Sequence, residues 1–117
     1  MGIYQYYSNN NNFANKITWK KLGSGFQFYQ LEIREFTALE DFTEVWLNVD
    51  IPSDAVIMSC IYLIAPLTQV GFSYRQISGS GYFDGNAYFS GRKIYVSLSG
   101  ISGWNTTDIV ITNISYR

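Results

Sequence analysis

Histidine is missing from this sequence altogether. Its absence excludes Ser-His and Cys-His nucleophile systems and removes the commonest transition-metal ligand. Cysteine occurs once, as Cys60 inside an apolar run. One cysteine closes no internal disulfide, and without a Cys-x-x-Cys pair there is no zinc site, so Cys60 reads as a small buried hydrophobe. Charge is scarce, at 15% of residues against about 25% in an average domain. The net charge is −1, and Lys20-Lys21 and Arg92-Lys93 are isolated basic pairs. Nucleic-acid binding needs a basic stripe, which this pattern lacks. No run approaches the roughly 18 apolar residues of a membrane span. No charged start leads into an apolar stretch, so neither membrane insertion nor a signal peptide is expected.

The glycines of Ser78-Gly79-Ser80-Gly81 imitate a phosphate cradle, but no helix pattern follows them. Carboxylates number 9 and fall mostly at turns or on the polar side of strands, where solvated carboxylates belong. A glycosidase needs only two, at a separation that sequence does not reveal. Asp84 with Asn86 could face a calcium ion, but no Asp-x-Asp-x-Asp spacing supports one. The expectation is a protein that is not an enzyme, with no catalytic residue, metal or cofactor.

Aromatic residues, at 18%, are abundant, and hydrophobic residues make up 47%. That is enough for one domain with a real core. Many aromatics with little charge point to apolar surface that meets a partner or a ligand. Residues 1–16, with the tract Asn9 to Asn12, read as a flexible or docking N-terminal arm before a domain spanning 17–117. Tyr4, Tyr6 and Tyr7 suit that arm to docking on a neighbouring subunit.

Strand patterns follow one another through the rest of the chain. In Thr43–Ile51, Val45, Leu47, Val49 and Ile51 share one face, and Trp46, Asn48 and Asp50 share the other. Gly25–Phe36 alternates with a phase slip, which predicts a β-bulge. Residues 54–65 are apolar on both faces, which suits a subunit interface through Ile57, Ile61 and Leu63. Val70, Phe72 and Tyr74 alternate inward, as do Ile94, Val96 and Leu98. Asp84-Gly85 predicts a tight hairpin turn between Tyr82-Phe83 and Tyr88-Phe89, and Ser90-Gly91-Arg92 predicts a second. No amphipathic helix is evident. The fold expected is all-β: an antiparallel β-sandwich, jelly-roll-like, with seven or eight strands.

With catalysis set aside, binding remains. Flat aromatic faces beside amides and carboxylates are the composition of a sugar site. Two groups have it: Trp104 with Asn105 and Asp108, and Tyr82 and Tyr88 with Asp84 and Asn86. Trp104, in a Gly-flanked loop, is either a ligand contact or a plug at the end of the sandwich. Trp19 and Trp46 read as packing residues.

The segment EVWLNVDIPSDAVIMSCIYLIAP is a strand, a Pro-Ser-Asp turn and an apolar strand, and GRKIYVSLSGISGWNTTDIVITNISYR closes the chain. Over residues 43–117 this layout resembles the head domains of bacteriophage tail fibres, baseplate receptor-binding proteins and head-fibre tips. The resemblance implies a non-enzymatic virion-surface domain, made in the host cytoplasm. It implies a homo-oligomer, with a trimer favoured, that binds host-surface carbohydrate and contacts other virion proteins. A stand-alone bacterial carbohydrate-binding module or lectin is one alternative. A purely structural capsid-decoration or baseplate subunit is another.

Overall fold

The computed structural model describes the backbone of residues 18–54 and 56–117 and the side chains of 18–53 and 60–117. The expected arm, with Tyr4, Tyr6 and Tyr7, and the side chain of Ile57 lie outside the described residues. The described chain is all-β, with no α-helix. Its strands are β1 (Lys20–Gly23), β2 (Phe26–Gln27), β3 (Ile33–Thr37), β4 (Glu44–Ile51), β5 (Val56–Ile64), β6 (Gln69–Arg75), β7 (Tyr82–Ser90), β8 (Lys93–Ser102) and β9 (Val110–Tyr116). Two antiparallel sheets result. The first has the order β1-β9-β4-β5, with β2 also pairing β9, and the second has the order β3-β8-β7-β6.

Alternation decides what lies between the sheets. Val45, Leu47 and Val49 from β4, Ile111 and Ile114 from β9, and Ile61 and Leu63 from β5 form one side of the core. Phe83, Ala87 and Phe89 from β7 and Ile94, Val96 and Leu98 from β8 form the other, all in one continuous cluster. Val70, Phe72 and Tyr74 point to the same interior and are half-buried. Each fully buried Val, Leu, Ile or Phe contributes about 1.5–3 kcal/mol, so this cluster dominates the stability of the domain.

Three expectations are corrected. The phase slip in 25–36 is not a bulge within one strand. The chain leaves the first sheet after β2, buries Phe28, and enters the second sheet at β3, and the inward positions stay even-numbered at Phe26, Phe28 and Phe36. Tyr29, Leu31 and Ile33 are exposed as a result.

Asp84-Gly85 is not a hairpin turn, because β7 runs through it unbroken. The register with β8 shifts between these two residues, which makes a bulge. A Cβ at Gly85 would lie 2.2 Å from both Phe72 Cζ and the Ser97 carbonyl oxygen, so glycine is there for space. The hairpin lies at the second expected turn, where Ser90 pairs Lys93 and Gly91 has φ 61°.

Ile61 and Leu63 are not on an exposed face. They are 4% and 1% exposed and fill the interior, while Cys60, Tyr62 and Ile64 carry the exposed face of β5. Cys60 is correspondingly exposed rather than buried.

Candidate functional site

Side chains alternate across a strand, so burial of Phe83, Ala87 and Phe89 turns Tyr82, Asp84, Asn86 and Tyr88 outward together. The hairpin reading separated these residues across a turn. The continuous strand sets them in one row on the outer face of the second sheet, about 20 Å from end to end at 3.3–3.4 Å per residue.

Neighbouring strands complete the row. Arg75 from β6 places its guanidinium 4.6 Å from the centre of the Tyr82 ring and its Nη1 3.0 Å from Asp84 Oδ1. Gln69 Nε2 donates to Asn86 Oδ1 at 3.2 Å. Tyr88 stacks on Tyr95 of β8, with centroids 4.5 Å apart and planes 14° from parallel. The hydroxyls of Ser97 and Ser99 donate to the carbonyl oxygens of Asn86 and Asp84. Arg75 is mostly exposed, and an ion pair at such a surface is worth about 0–1 kcal/mol. The pair therefore contributes little to holding the fold, and its donors and acceptors can be exchanged for those of a polar ligand.

Trp104, Asn105 and Asp108 are not brought to this row. Trp104 is half-buried, packs against the core and lies 6.0 Å from the inward-facing Tyr74 ring. A Cβ at Gly81 would sit 2.9 Å from its Cη2 and Cζ3, so the edge of the indole abuts the chain where β7 begins. This is the geometry of a plug. Asp108 Oδ2 accepts the N–H of Asn105 at 3.0 Å and so fastens the short 3-10 turn Thr106–Asp108.

The outer face of the first sheet carries a cluster that sequence reasoning assigned to packing alone. Trp19 meets Trp46 edge-on at 5.9 Å and Tyr62 at 6.3 Å. Arg117 lies 4.4 Å over the Trp19 ring and binds Glu44 through Nε and Nη2, at 3.1 and 3.2 Å. The Tyr62 hydroxyl donates to Glu44 Oε1, and Trp46 Nε1 donates to Cys60 Sγ at 2.9 Å. The Tyr62 bond, then the Arg117 bonds, hold the Glu44 carboxyl below the usual carboxylate range against the opposing effect of desolvation. The same contact raises the Tyr62 hydroxyl. Trp46 is 39% exposed and Tyr62 49%. The signal for this face was present in the sequence, since Trp46 is out of phase with Val45 and Leu47.

Among the described residues, no three or more His, Cys, Asp or Glu side chains gather as a metal site would require. What the faces offer a ligand is aromatic rings, amides, hydroxyls and single ion pairs. Compared with known proteins, the chain matches no family model, no curated sequence and no solved structure.

Proposed function

We propose that this chain is a non-enzymatic domain of a bacteriophage virion that attaches to host-surface glycans, as a homo-oligomer with a trimer favoured. The observation that carries the binding reading is the row Tyr82, Asp84, Asn86 and Tyr88, set on one open face with Arg75, Gln69 and Tyr95 beside it. Aromatic rings supply apolar faces for sugar C–H groups, and the amides and the Arg75–Asp84 pair supply donors and acceptors for hydroxyls. The virion setting rests on the resemblance of residues 43–117 to fibre and baseplate head domains. Pairing of β3 with β8 and of β4 with β9, across long stretches of chain, supports a jelly-roll-like wrapping of the sandwich.

The test is a glycan array probed with the wild-type chain and with Tyr88→Ala and Asp84→Ala. Binding by the wild type that both substitutions abolish, with melting temperatures unchanged, supports the reading. A second reading, a purely structural decoration or baseplate subunit, is favoured by the exposed Tyr62, Ile64 and Leu67 around the end of β5. An oligomer that binds no glycan would select it. A monomer that binds sugar would select a bacterial carbohydrate-binding module.

A further inference from the structure

The sandwich is open along one side. β5 ends the first sheet and β6 ends the second, and among the described residues no further strand extends either sheet there. Between the two edges runs a groove of about 560 Å³. Its floor is Ile61, Val70 and Phe72, and its walls are Cys60 and Tyr62 on one side and Gly71 and Ser73 on the other.

The ladders determine which backbone groups reach that groove. Ala65 donates its N–H to the Thr43 carbonyl, so Val45↔Leu63 and Leu47↔Ile61 are the pairs that exchange bonds. The N–H and C=O groups of Cys60 and Tyr62 therefore turn away from β4. Phe89 donates to the Thr68 carbonyl, so Val70↔Ala87 and Phe72↔Gly85 exchange bonds. Gly71 and Ser73 accordingly turn their backbone groups away from β7. Both walls thus present strand-edge donors and acceptors above an apolar floor, which is the setting for an added strand.

Gly71 gives a separate indication. It is not among the glycines with positive φ, and a Cβ there would meet nothing nearer than the Gly85 carbonyl oxygen at 3.7 Å. Neither the backbone nor the neighbours require glycine at this point of a strand, where it weakens the structure. Close approach of another backbone is a reason for it.

We propose that the groove accepts residues 1–17 of a second copy of this chain as an added strand. Seventeen residues reach roughly 55–60 Å when extended. Ile3, Tyr4, Tyr6 and Tyr7 have the side chains that strands favour. The described chain enters the sandwich at β1, on the opposite edge of the first sheet from β5. With the arm joining at β1 and the groove at β5, a one-way exchange is head-to-tail, and it gives a ring such as a trimer where its rotation closes. This inference rests on the oligomeric reading above and gives it a mechanism.

Two measurements on the full chain test it. The first is solution mass by light scattering for the wild type and for Ser73→Pro, which removes a groove-facing N–H while leaving the β6–β7 ladder intact. The expected result is a mass three times 13.4 kDa for the wild type, falling threefold in the folded variant. The second uses Tyr4→Cys, Tyr6→Cys and Tyr7→Cys, each oxidised beside the native Cys60. At least one should give covalent multimers on a non-reducing gel, and these should vanish when Cys60→Ser is added. This series stands whether or not Ser73→Pro folds. A monomeric wild type contradicts both the oligomer and the groove. An oligomer in which no cysteine variant joins Cys60 of another copy, or in which the bond forms within one chain, overturns the groove and leaves the oligomer standing.

Discussion

Gly85 and Phe72 share one volume in the core: a Cβ on the glycine would lie 2.2 Å from the Phe72 ring. Phe83, Ala87 and Phe89 keep one uninterrupted alternation through Gly85, and the register shift falls in β8, where Ser99 is the extra residue between Leu98 and Gly100. Gly85→Ala should therefore destabilise the domain by about 1–3 kcal/mol, the usual range for overpacking a core. Gly71→Ala, where a Cβ has room within one chain, should leave the dissociated chain unchanged or stabilise it by up to about 1 kcal/mol, and should weaken the oligomer at the groove. Urea denaturation of the two variants checks this contrast, and equal losses would contradict it.

Trp104 should behave as a plug. Trp104→Ala should lower stability by about 3 kcal/mol, the lower end of the range for truncating a buried aromatic, because the indole is only half-buried. Glycan affinity of the folded fraction should be unchanged. Lost affinity at unchanged stability would make Trp104 a ligand contact instead.

Glu44 should make stability depend on acid. Its carboxyl is held below the usual range by the Tyr62 hydroxyl and Arg117, so it binds a proton less readily folded than unfolded. Its contribution is present above the ordinary carboxylate range and is lost as pH falls through the lowered folded value. Denaturation midpoints taken from neutral pH downward should fall less steeply for Glu44→Gln than for the wild type. Identical slopes would show that Glu44 carries none of the dependence.

The cluster around Trp46 should respond to a single cut. Tyr62→Phe removes the hydroxyl that bonds Glu44 while keeping the ring beside Trp19. Stability should drop slightly, with most of the loss appearing above the pH at which Glu44 ionises. A larger loss that is independent of pH would point to ring packing instead.

Much of this architecture was legible from side-chain period alone. Val45, Leu47, Val49 and Ile51, and Ile94, Val96 and Leu98, alternate without interruption and are all buried. Errors arose where one sequence signal serves two geometries. Asp-Gly marks tight turns, but at Asp84-Gly85 the glycine is required by Phe72 and Ser97, which are distant in sequence and invisible to a local reading. The odd-numbered apolar residues Tyr29, Leu31 and Ile33 look like a phase slip, but they are exposed where the chain crosses between sheets, and the inward face stays on Phe28 and Phe36. In β5 both faces are apolar, so composition does not say which one enters the core, and an interface expected at Ile61 and Leu63 falls on the buried face. The row of Tyr82, Asp84, Asn86 and Tyr88 was found by composition, and its placement on one face came only from the unbroken strand.

The most direct test of a glycan face on the second sheet is a map of backbone amide shifts during titration with an oligosaccharide that the array identifies. Shifts should concentrate at Gln69 to Arg75, Tyr82 to Tyr88 and Tyr95 to Ser99, with Tyr88→Ala abolishing them. Shifts confined to Trp104 and its loop, or to Trp46 and Tyr62 on the opposite sheet, would contradict that assignment.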